Sequence, residues 1–406
     1  MTAAVATLRD TRRRVDTRPI RVAHINANFW AGSGGITLRE ALAVDGERYA
    51  NTILAPADGS LFERAEDAGI GVVRLQQMGG GRRVYPWADL EALRELTRHL
   101  RAGKFDLVHT HAGRAGALGR VAARRVGVPA IVHTFHGFPF NEFQSPLMRG
   151  ALRTVERRLA RITDYFLTDG AVVAAEAVRL KLAPPDRIRA LISPIDAVPR
   201  RSESARQEAR HTLGLPDNAR VIGTTARLAV QKSPLDLVRA VAALERRDVY
   251  VVWLGEGELR AKTERLIRKE GLEDRFLLPG ARDDARRLLP AFDVFVMSSL
   301  WEGLSCSVVE AMTCGIPVVS TAVNSITDVI VPGKTGLLAR PADPASLGRA
   351  LAYMLDHPDD AARMAEAARL QIGEQFRTDL LGRELAEVYE LALRLAAVDS
   401  VRRGGG

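Results

Sequence analysis

At 406 residues the chain is too long for one ordinary hydrophobic core, so two domains are the expectation. Its 47% hydrophobic content suits a globular protein, and no stretch approaches the ~20 uninterrupted apolar residues that span a bilayer. The net charge of +9 rests on 58 basic side chains of which only six are Lys; with aromatics at 5% and no basic run interleaved with them, it argues against nucleic-acid binding and leaves an anionic surface or a phosphorylated substrate.

The opening segment, "MTAAVATLRDTRRRVDTRP", lacks the continuous apolar run of a secretory signal and reads as a disordered basic tail over residues 1–18. Alternation of strand and helix then begins with "IRVAHINA" (20–27) and continues through "NTILAP", "GVVRL", "FDLVHTH", "PAIVHTF" and "DYFLTDG", with helical segments such as 87–102 and 114–126 between them. Short apolar strands alternating with helices imply parallel sheets built from βαβ units. This series defines a first domain, residues 19–195. Residues 196–217, within "SPIDAVPRRSESARQEARHTLGLPDNA", are polar, charged and bounded by prolines, and read as a linker. A second series, "RVIGTTAR", "VYVVWLG", "RFLLPG", "DVFVMSS" and "PVVST", defines a second domain over 218–376. The last segment, 377–400, is a long amphipathic helix expected to pack back toward the first domain, and "RRGGG" reads as a frayed tail. The fold class is therefore α/β, with two Rossmann-like, doubly wound parallel sheets facing across a cleft where ligands bind outside the carboxyl ends of the strands. Cys306 and Cys314 are the only cysteines and form no CxxC, which argues for a reduced, cytosolic compartment.

Four stretches carry chemistry. In "SLWEGLSCSVVEAMTCGIPVVS" (299–320), a turn after a buried strand delivers Glu302, Gly303 and Leu304 to the start of a helix that Ser305 or Ser307 caps. Free N–H groups and the helix dipole favour an anion such as a diphosphate there, and Gly303 permits close backbone approach. Glu310, eight positions after Glu302, offers a carboxylate suited to the paired hydroxyls of ribose or a sugar ring; solvated surface acids are the competing reading. In "TTARLAVQKSP", Arg227 and Lys232 follow the first strand of the second domain, placed to neutralise a diphosphate or simply to be solvated. In "NFWAGSGGITLRE", the glycine-rich turn allows phosphate to approach near Gly34 and Gly35, without the full dinucleotide fingerprint; a flexible turn explains the stretch equally well. "LVHTHAGRAGALGR" and "IVHTFHGFPFNEF" place His109, His111, His133 and His136 at or past strand ends. A metal reading is opposed by the alternation of faces along a strand and by the lack of a nearby Asp/Glu set. A polar cleft contact suits them better, with His136 best placed to touch substrate.

In this order the stretches resemble the retaining glycosyltransferases of family 4, with the GT-B fold, from about residue 20 to 398. "GSGG", "DLVHTHAGRAGALGRVAA", "HTFHGFPF", "ARLAVQKSP", "WLGEGELR", "EGLSCSVVEAMTCGIPVVST" and "GKTGLL" carry the resemblance, and the histidine stretches look most like the bacterial branch that builds exopolysaccharides and surface glycans. The resemblance implies transfer of a sugar from a UDP- or GDP-linked donor to a glycan or lipid-linked acceptor, with no cofactor beyond the nucleotide sugar and no bound metal. It implies that Glu310 holds the ribose and Glu302 the transferred sugar. Arg227 and Lys232 bind the diphosphate beside the N–H groups of Gly303, Leu304 and Ser305. His136 contacts the donor sugar near the reacting carbon, and Gly34 and Gly35 approach the phosphates. The resemblance also implies a front-face displacement, with the leaving phosphate helping to deprotonate the acceptor; no carboxylate in the sequence is an obvious covalent nucleophile. The chain departs from the family pattern at "SPIDAVP", with Ser193 and Pro194 for Asn-Gly, and at "NSITDVI", where Gly-Gly is usual; the second departure bears on which sugar is bound.

On the acceptor side, "PLMRGALRTVERRLARI" (146–162) sets Met148, Leu152, Val155, Leu159 and Ile162 on one face beside a stripe of Arg149, Arg153, Arg157 and Arg161. This is either a peripheral contact with an anionic inner membrane face or a core helix with a solvated basic side. "GGGRRVYP" (79–86) is either an acceptor-phosphate loop or a plain loop. Alternative functions are a nucleotide-sugar epimerase on the same fold, a binding module without turnover, and a transferase acting on a small-molecule natural product.

Overall fold

The structure, a computed structural model, describes residues 18–30, 32–78 and 86–404. The expected tail (apart from Arg18) and most of the 79–86 loop lie outside the described residues. The apolar runs form strands as expected: β1 (Ile20–Ile25), β2 (Tyr49–Pro56), β3 (Gly71–Leu75), β4 (Leu107–His111), β5 (Ala130–Phe135) and β6 (Tyr165–Thr168), then β8 (Arg220–Thr225), β9 (Val249–Leu254), β10 (Phe276–Gly280), β11 (Val294–Met297) and β12 (Val318–Thr321). Two edge strands were not legible, β7 (Ile188–Ala190) and β13 (Leu337–Ala339); three residues are too few to show a period.

All strand pairs are parallel, in the orders β3-β2-β1-β4-β5-β6-β7 and β10-β9-β8-β11-β12-β13. The chain reverses its direction of travel across each sheet beside β1 and beside β8. These are the two switch points, and crevices open there at the carboxyl ends of β1, β4, β8 and β11. Buried aliphatic residues cover both faces of each sheet, as a sheet layered between helices requires.

The segment read as a linker is mostly not one. Helix Glu203–Leu213 lies inside it, started by the Ser202 side chain accepting from the Ala205 N–H at 3.2 Å and ended by Gly214 in the left-handed region. Its Ala209 and Leu213, with Leu215 and Ala219, belong to the second core. Arg210, 1% exposed, is held by the Asp293 carboxylate at 2.7 Å. Dense charge in this helix masks its short apolar stripe. The final helix runs from Thr378 to Gly404, past its expected end. Its Leu381, Leu385, Val388, Tyr389 and Ala392, at helical spacing, pack with Val22, Tyr49, Leu107 and Val132 of the first sheet. A Cβ on Gly382 would stand 2.1 Å from the Ala43 carbonyl oxygen, so only glycine permits this docking. Among the described residues no helix is long and apolar enough to cross a membrane.

Candidate functional site

The second-domain half is built at the ends of β8 and β11. Past β11 the chain turns through Ser298–Ser305 before helix Cys306–Cys314 begins. Glu302, 6% exposed, is tied down on several sides: its carboxylate accepts from Ser299 Oγ at 2.5 Å, is ion-paired with Lys232, and lies 3.4 Å from Gln231 Nε2. Ser298 Oγ donates to the Lys232 carbonyl at 2.7 Å, and the Leu300 N–H donates to the Gln231 carbonyl at 2.8 Å. The two loops are therefore one unit. Arg227, expected to act beside Lys232, is exposed and has no ion-pair partner among the described residues. One cation of the pair is thus engaged, and the other is unpaired among the described residues.

Ser305 occupies the cap position of helix Cys306–Cys314, but its hydroxyl faces Ser307 Oγ at 3.1 Å and caps no N–H. The N–H groups of Gly303, Leu304, Ser305, Cys306 and Ser307 donate to no acceptor among the described residues. Five unpaired donors at a helix start make a ready anion site. Glu310, one and a half turns on, is 12% exposed and accepts from Arg286 Nε at 2.8 Å. Burial raises its pKa, against the pull of Arg286 and Arg39. Arg286 also reaches Asp196 at 3.1 Å, and Asp196 meets Arg64 at 2.9 Å and Arg39 at 3.7 Å. Hydrogen bonding from Arg64 keeps the Asp196 carboxyl below its ordinary pKa despite burial. Glu302 and Glu310 thus belong to separate ionic networks.

In the first-domain half, Gly34 and Gly35 lie in the first turn of helix Ser33–Ala43. Gly34 is required by packing in its own loop, since a Cβ there would stand 2.8 Å from the Asn28 oxygen and the Phe29 Cα; Gly35 faces Arg39. His136 does not present a free ring nitrogen to the cleft. Its Nδ1 is 2.9 Å from the Asp169 carboxylate and its Nε2 is 3.2 Å from His111 Nδ1. His133 points away, bonded to Thr110 Oγ1 at 2.8 Å.

The histidines nevertheless gather, contrary to the expectation that strand alternation separates them. Faces alternate at every residue, so His109 and His111, two apart, share a face, with ring centroids 4.2 Å apart. The acid missing from the neighbouring sequence comes from helix Ser33–Ala43: Glu40 Oε2 lies 3.8 Å from His109 Nδ1 and 3.9 Å from His111 Nδ1, with no hydrogen-bond partner. With His24 these four residues are close enough to surround an ion. The set does not suit a metal well, because its imidazole nitrogens are already engaged. His109 bonds Tyr389 Oη at 2.9 Å and Thr134 Oγ1 at 2.7 Å, and His24 bonds Asn51 Oδ1 at 3.2 Å and His111 at 3.3 Å. Burial pushes the Glu40 carboxyl up to about 8, and the His24 ring down to about 4.

The halves meet across the cleft. A Cβ on Gly137, whose φ is +88°, would stand 3.4 Å from the Glu302 oxygen and Gly303 nitrogen, and one on Gly303 would stand 2.9 Å from the His136 carbonyl. The Phe143 and Trp301 rings lie 5.8 Å apart, and Arg39 Nη2 is 3.8 Å from Cys306 Sγ. Asp328, in the divergent "NSITDVI" segment, accepts from the Val172 N–H at 3.2 Å. A small cavity lined by Ile36, Asp169, Ser193, Leu304 and Cys306 sits between the domains. Burial raises the Cys306 thiol to about 11, so it is not a nucleophile at neutral pH. Asp169, Glu40, Arg39, Asp196 and Arg286 complete the site beyond the residues read from sequence.

Known proteins share this organisation. A "Glycosyl transferase 4-like domain" model matches residues 37–192 and a "Glycosyl transferases group 1" model matches residues 205–371. The chain is 28% identical over 346 residues to the UDP-Gal:alpha-D-GlcNAc-diphosphoundecaprenol alpha-1,3-galactosyltransferase of Escherichia coli, covering 83% of this chain and 88% of the relative. It is 34% identical over 306 residues to the 2-deoxystreptamine glucosyltransferase of Streptomyces kanamyceticus (70% and 77% covered), and 33% over 313 residues to the D-inositol 3-phosphate glycosyltransferase of Streptomyces scabiei (72% and 69%). The structure of Anabaena HepE with UDP and glucose superposes with a TM-score of 0.79 over 91% of this chain and 99% of that one, at 19% identity. Sucrose-phosphate synthase from Thermosynechococcus elongatus gives 0.78 over 92% and 98%, at 18% identity; at such identities the likeness shows the fold. With a family model on each domain and relatives above 30% identity matched over more than two thirds of their length, the chain belongs to the glycosyltransferases that join a 4-like first domain to a group 1 second domain.

Proposed function

We propose that the chain is a retaining glycosyltransferase that takes a sugar from a nucleoside diphosphate donor and passes it to a glycan or lipid-linked acceptor in bacterial surface-glycan synthesis. The observation that carries the donor half is the run of five N–H groups, Gly303 to Ser307, without an acceptor among the described residues, at a switch-point helix start next to the Lys232–Glu302 pair. Such donors stabilise the negative charge that grows on a diphosphate as the anomeric bond breaks, and they need no reorganisation to do so. Arg227 is available as a two-pronged clamp for phosphate. Lys232, held against Glu302, neutralises that buried carboxylate and leaves it oriented toward sugar hydroxyls. Glu310 receives the ribose. This scheme assigns charge neutralisation to the protein's own groups and needs no metal. The uridine base is favoured by the E. coli relative named for UDP-Gal and by the HepE structures containing UDP.

Retention follows by front-face displacement in this reading. Glu302 is locked by Lys232 and Ser299, and Asp169 by His136, so neither is free to form a covalent glycosyl intermediate. The lipid-linked acceptor is supported by the E. coli relative, which matches 83% of this chain. Helix Pro146–Ala160 supports peripheral membrane contact, because Leu147, Met148 and Val155 are 86%, 53% and 44% exposed while Leu159 is buried. A second reading, a small polar acceptor, is supported by the 2-deoxystreptamine and inositol phosphate enzymes among its relatives. The test is a thermal-shift and slow-hydrolysis screen of UDP- and GDP-sugars, followed by NMR of the product's anomeric proton. Failure of every nucleotide sugar to stabilise the protein or be hydrolysed overturns the donor assignment, and an inverted product overturns retention.

A further inference from the structure

Three histidines of the first domain form an unbroken hydrogen-bonded row between two acceptors. Asn51 Oδ1 lies 3.2 Å from His24 Nε2, His24 Nδ1 is 3.3 Å from His111 Nε2, His111 Nδ1 is 3.2 Å from His136 Nε2, and His136 Nδ1 is 2.9 Å from Asp169 Oδ1. His24 and His111 are fully buried, Asn51 is 7% exposed and the side chains of His136 and Asp169 are 7% exposed, so solvent does not stand in for these bonds.

The ends fix the proton count. The Asn51 amide N–H donates to the Ala41 carbonyl at 2.9 Å, which turns its oxygen toward His24; at the other end Asp169 presents a carboxylate. Both ends only accept. The row's four hydrogen bonds need four N–H protons, whereas three neutral imidazoles carry three. One extra proton, and one positive charge, is built into the arrangement. Its place is the ring beside the carboxylate. Burial holds His24 down to about 4 and His111 well below its ordinary value. At His136 burial also opposes the charge, but the charge and hydrogen bond of Asp169 outweigh it and raise the pKa.

We propose that the row Asn51–His24–His111–His136–Asp169 has a single polarity, set at Asn51, that holds His136 as an imidazolium ion paired with Asp169 in the cleft wall. Asn51, His24 and His111 are positioning residues that act through His136. The consequence falls on the anion site: Asp169 Oδ2 lies 3.0 Å from where a Cβ on Gly303 would stand, beside the unpaired N–H groups. A bare carboxylate there would repel a diphosphate, and the imidazolium cancels it; this role rests on the donor reading above. The other groups around His136 are Glu40 and His111, with His24, His109 and His133 behind them and Arg39 beyond Glu40.

Removing the acceptor at the far end changes the count. In Asn51→Leu three bonds remain for three protons, so the row can run neutral in the reverse polarity, each ring donating from Nδ1 toward Asp169. The test is long-range proton–nitrogen NMR of 15N-histidine-labelled protein between about pH 6 and 9, with His136→Gln for assignment, and calorimetry with UDP as probe. At about pH 7.5 the wild type should show both His136 nitrogens protonated, and His24 and His111 neutral with the proton on Nε2. Asn51→Leu should neutralise His136 and weaken UDP binding about tenfold at pH 8 but little at pH 6. Asn51→Asp, which keeps an acceptor, should retain the imidazolium. A neutral His136 in the wild type, or Nδ1 protons on His24 and His111, overturns the proposal whatever the variants do. Absence of UDP binding by the wild type overturns the role at the anion site, while the nitrogen signals still decide the protonation.

Discussion

Arg286 joins Glu310 to Asp196: its Nε donates to the Glu310 carboxylate at 2.8 Å and its Nη2 lies 3.1 Å from Asp196, which Arg64 and Arg39 of the first domain also hold. The carboxylate assigned to ribose is thus oriented by a residue that also ties the domains together. Glu310→Ala should weaken UDP-sugar binding by about tenfold or more, the cost of losing charge-assisted hydrogen bonds of about 1.5–3 kcal/mol. Arg286→Ala should weaken it less and raise the Glu310 pKa further, since burial then acts with less opposition. Calorimetry at two pH values reads both effects. Wild-type affinity in Glu310→Ala removes this residue from the site.

Lys232 and Glu302 make a different case, because the lysine proposed to serve the diphosphate also covers a buried acid. Lys232→Ala should lower kcat about 10²–10³-fold through lost leaving-group stabilisation. It should also cost about 3 kcal/mol of stability, because Glu302 at 6% exposure is left with only Ser299 and Gln231. The double variant Lys232→Ala/Glu302→Gln, read against Glu302→Gln alone, separates the effects. Stability should recover in it and turnover should not. Recovery of both would make Lys232 a purely structural partner.

Glu40 gives a pH prediction with a definite sign. Burial raises its carboxyl from the ordinary 4.5 to about 8, so the folded chain holds a proton that the unfolded chain releases. This group's contribution to stability is therefore complete below pH 4.5 and is lost progressively as pH rises toward 8. Glu40→Gln removes that slope. Thermal melts should show the variant gaining over wild type as pH rises from 5 to 8, by a few kcal/mol at most. Parallel melting curves for the two proteins across this range would mean that Glu40 is ionised in the fold.

Much of this was readable beforehand and some was not, for physical reasons. Apolar runs marked eleven of the thirteen strands, because a central strand buried on both faces is largely apolar and the partly exposed edge strands β3 and β10 still carry paired Val or Leu. The turn at Glu302–Ser305 was legible because strand, glycine and helix start follow one another directly in the chain. Partners brought by register were not. His24 stands opposite His109 in the β1–β4 ladder, and His111 opposite Thr134 in β4–β5, so the histidine row exists only once the sheet has formed. Asp169 was read as the end of a strand and Asp196 as linker, since neither lies in a motif. The helix at Glu203–Leu213 did announce itself, with serine at its start and glycine past its end, but its charges concealed the signal.

The final helix follows the second domain in sequence yet covers the first sheet, so its packing should govern the first domain's stability. Leu385, fully buried between Val22, Leu107 and their neighbours, should cost about 2–5 kcal/mol when replaced by alanine. Tyr389→Phe deletes only the bond between its hydroxyl and His109 Nδ1, 2.9 Å apart, worth about 1 kcal/mol. Urea titrations followed by tryptophan fluorescence in two variants, one keeping only Trp30 and Trp87 of the first domain and the other only Trp253 and Trp301 of the second, should show Leu385→Ala shifting the first-domain midpoint alone. Equal shifts in both domains would mean that they unfold as one unit, with the helix as their shared support. A shift below about 0.5 kcal/mol, as for a surface residue, would mean that the helix does not dock in solution.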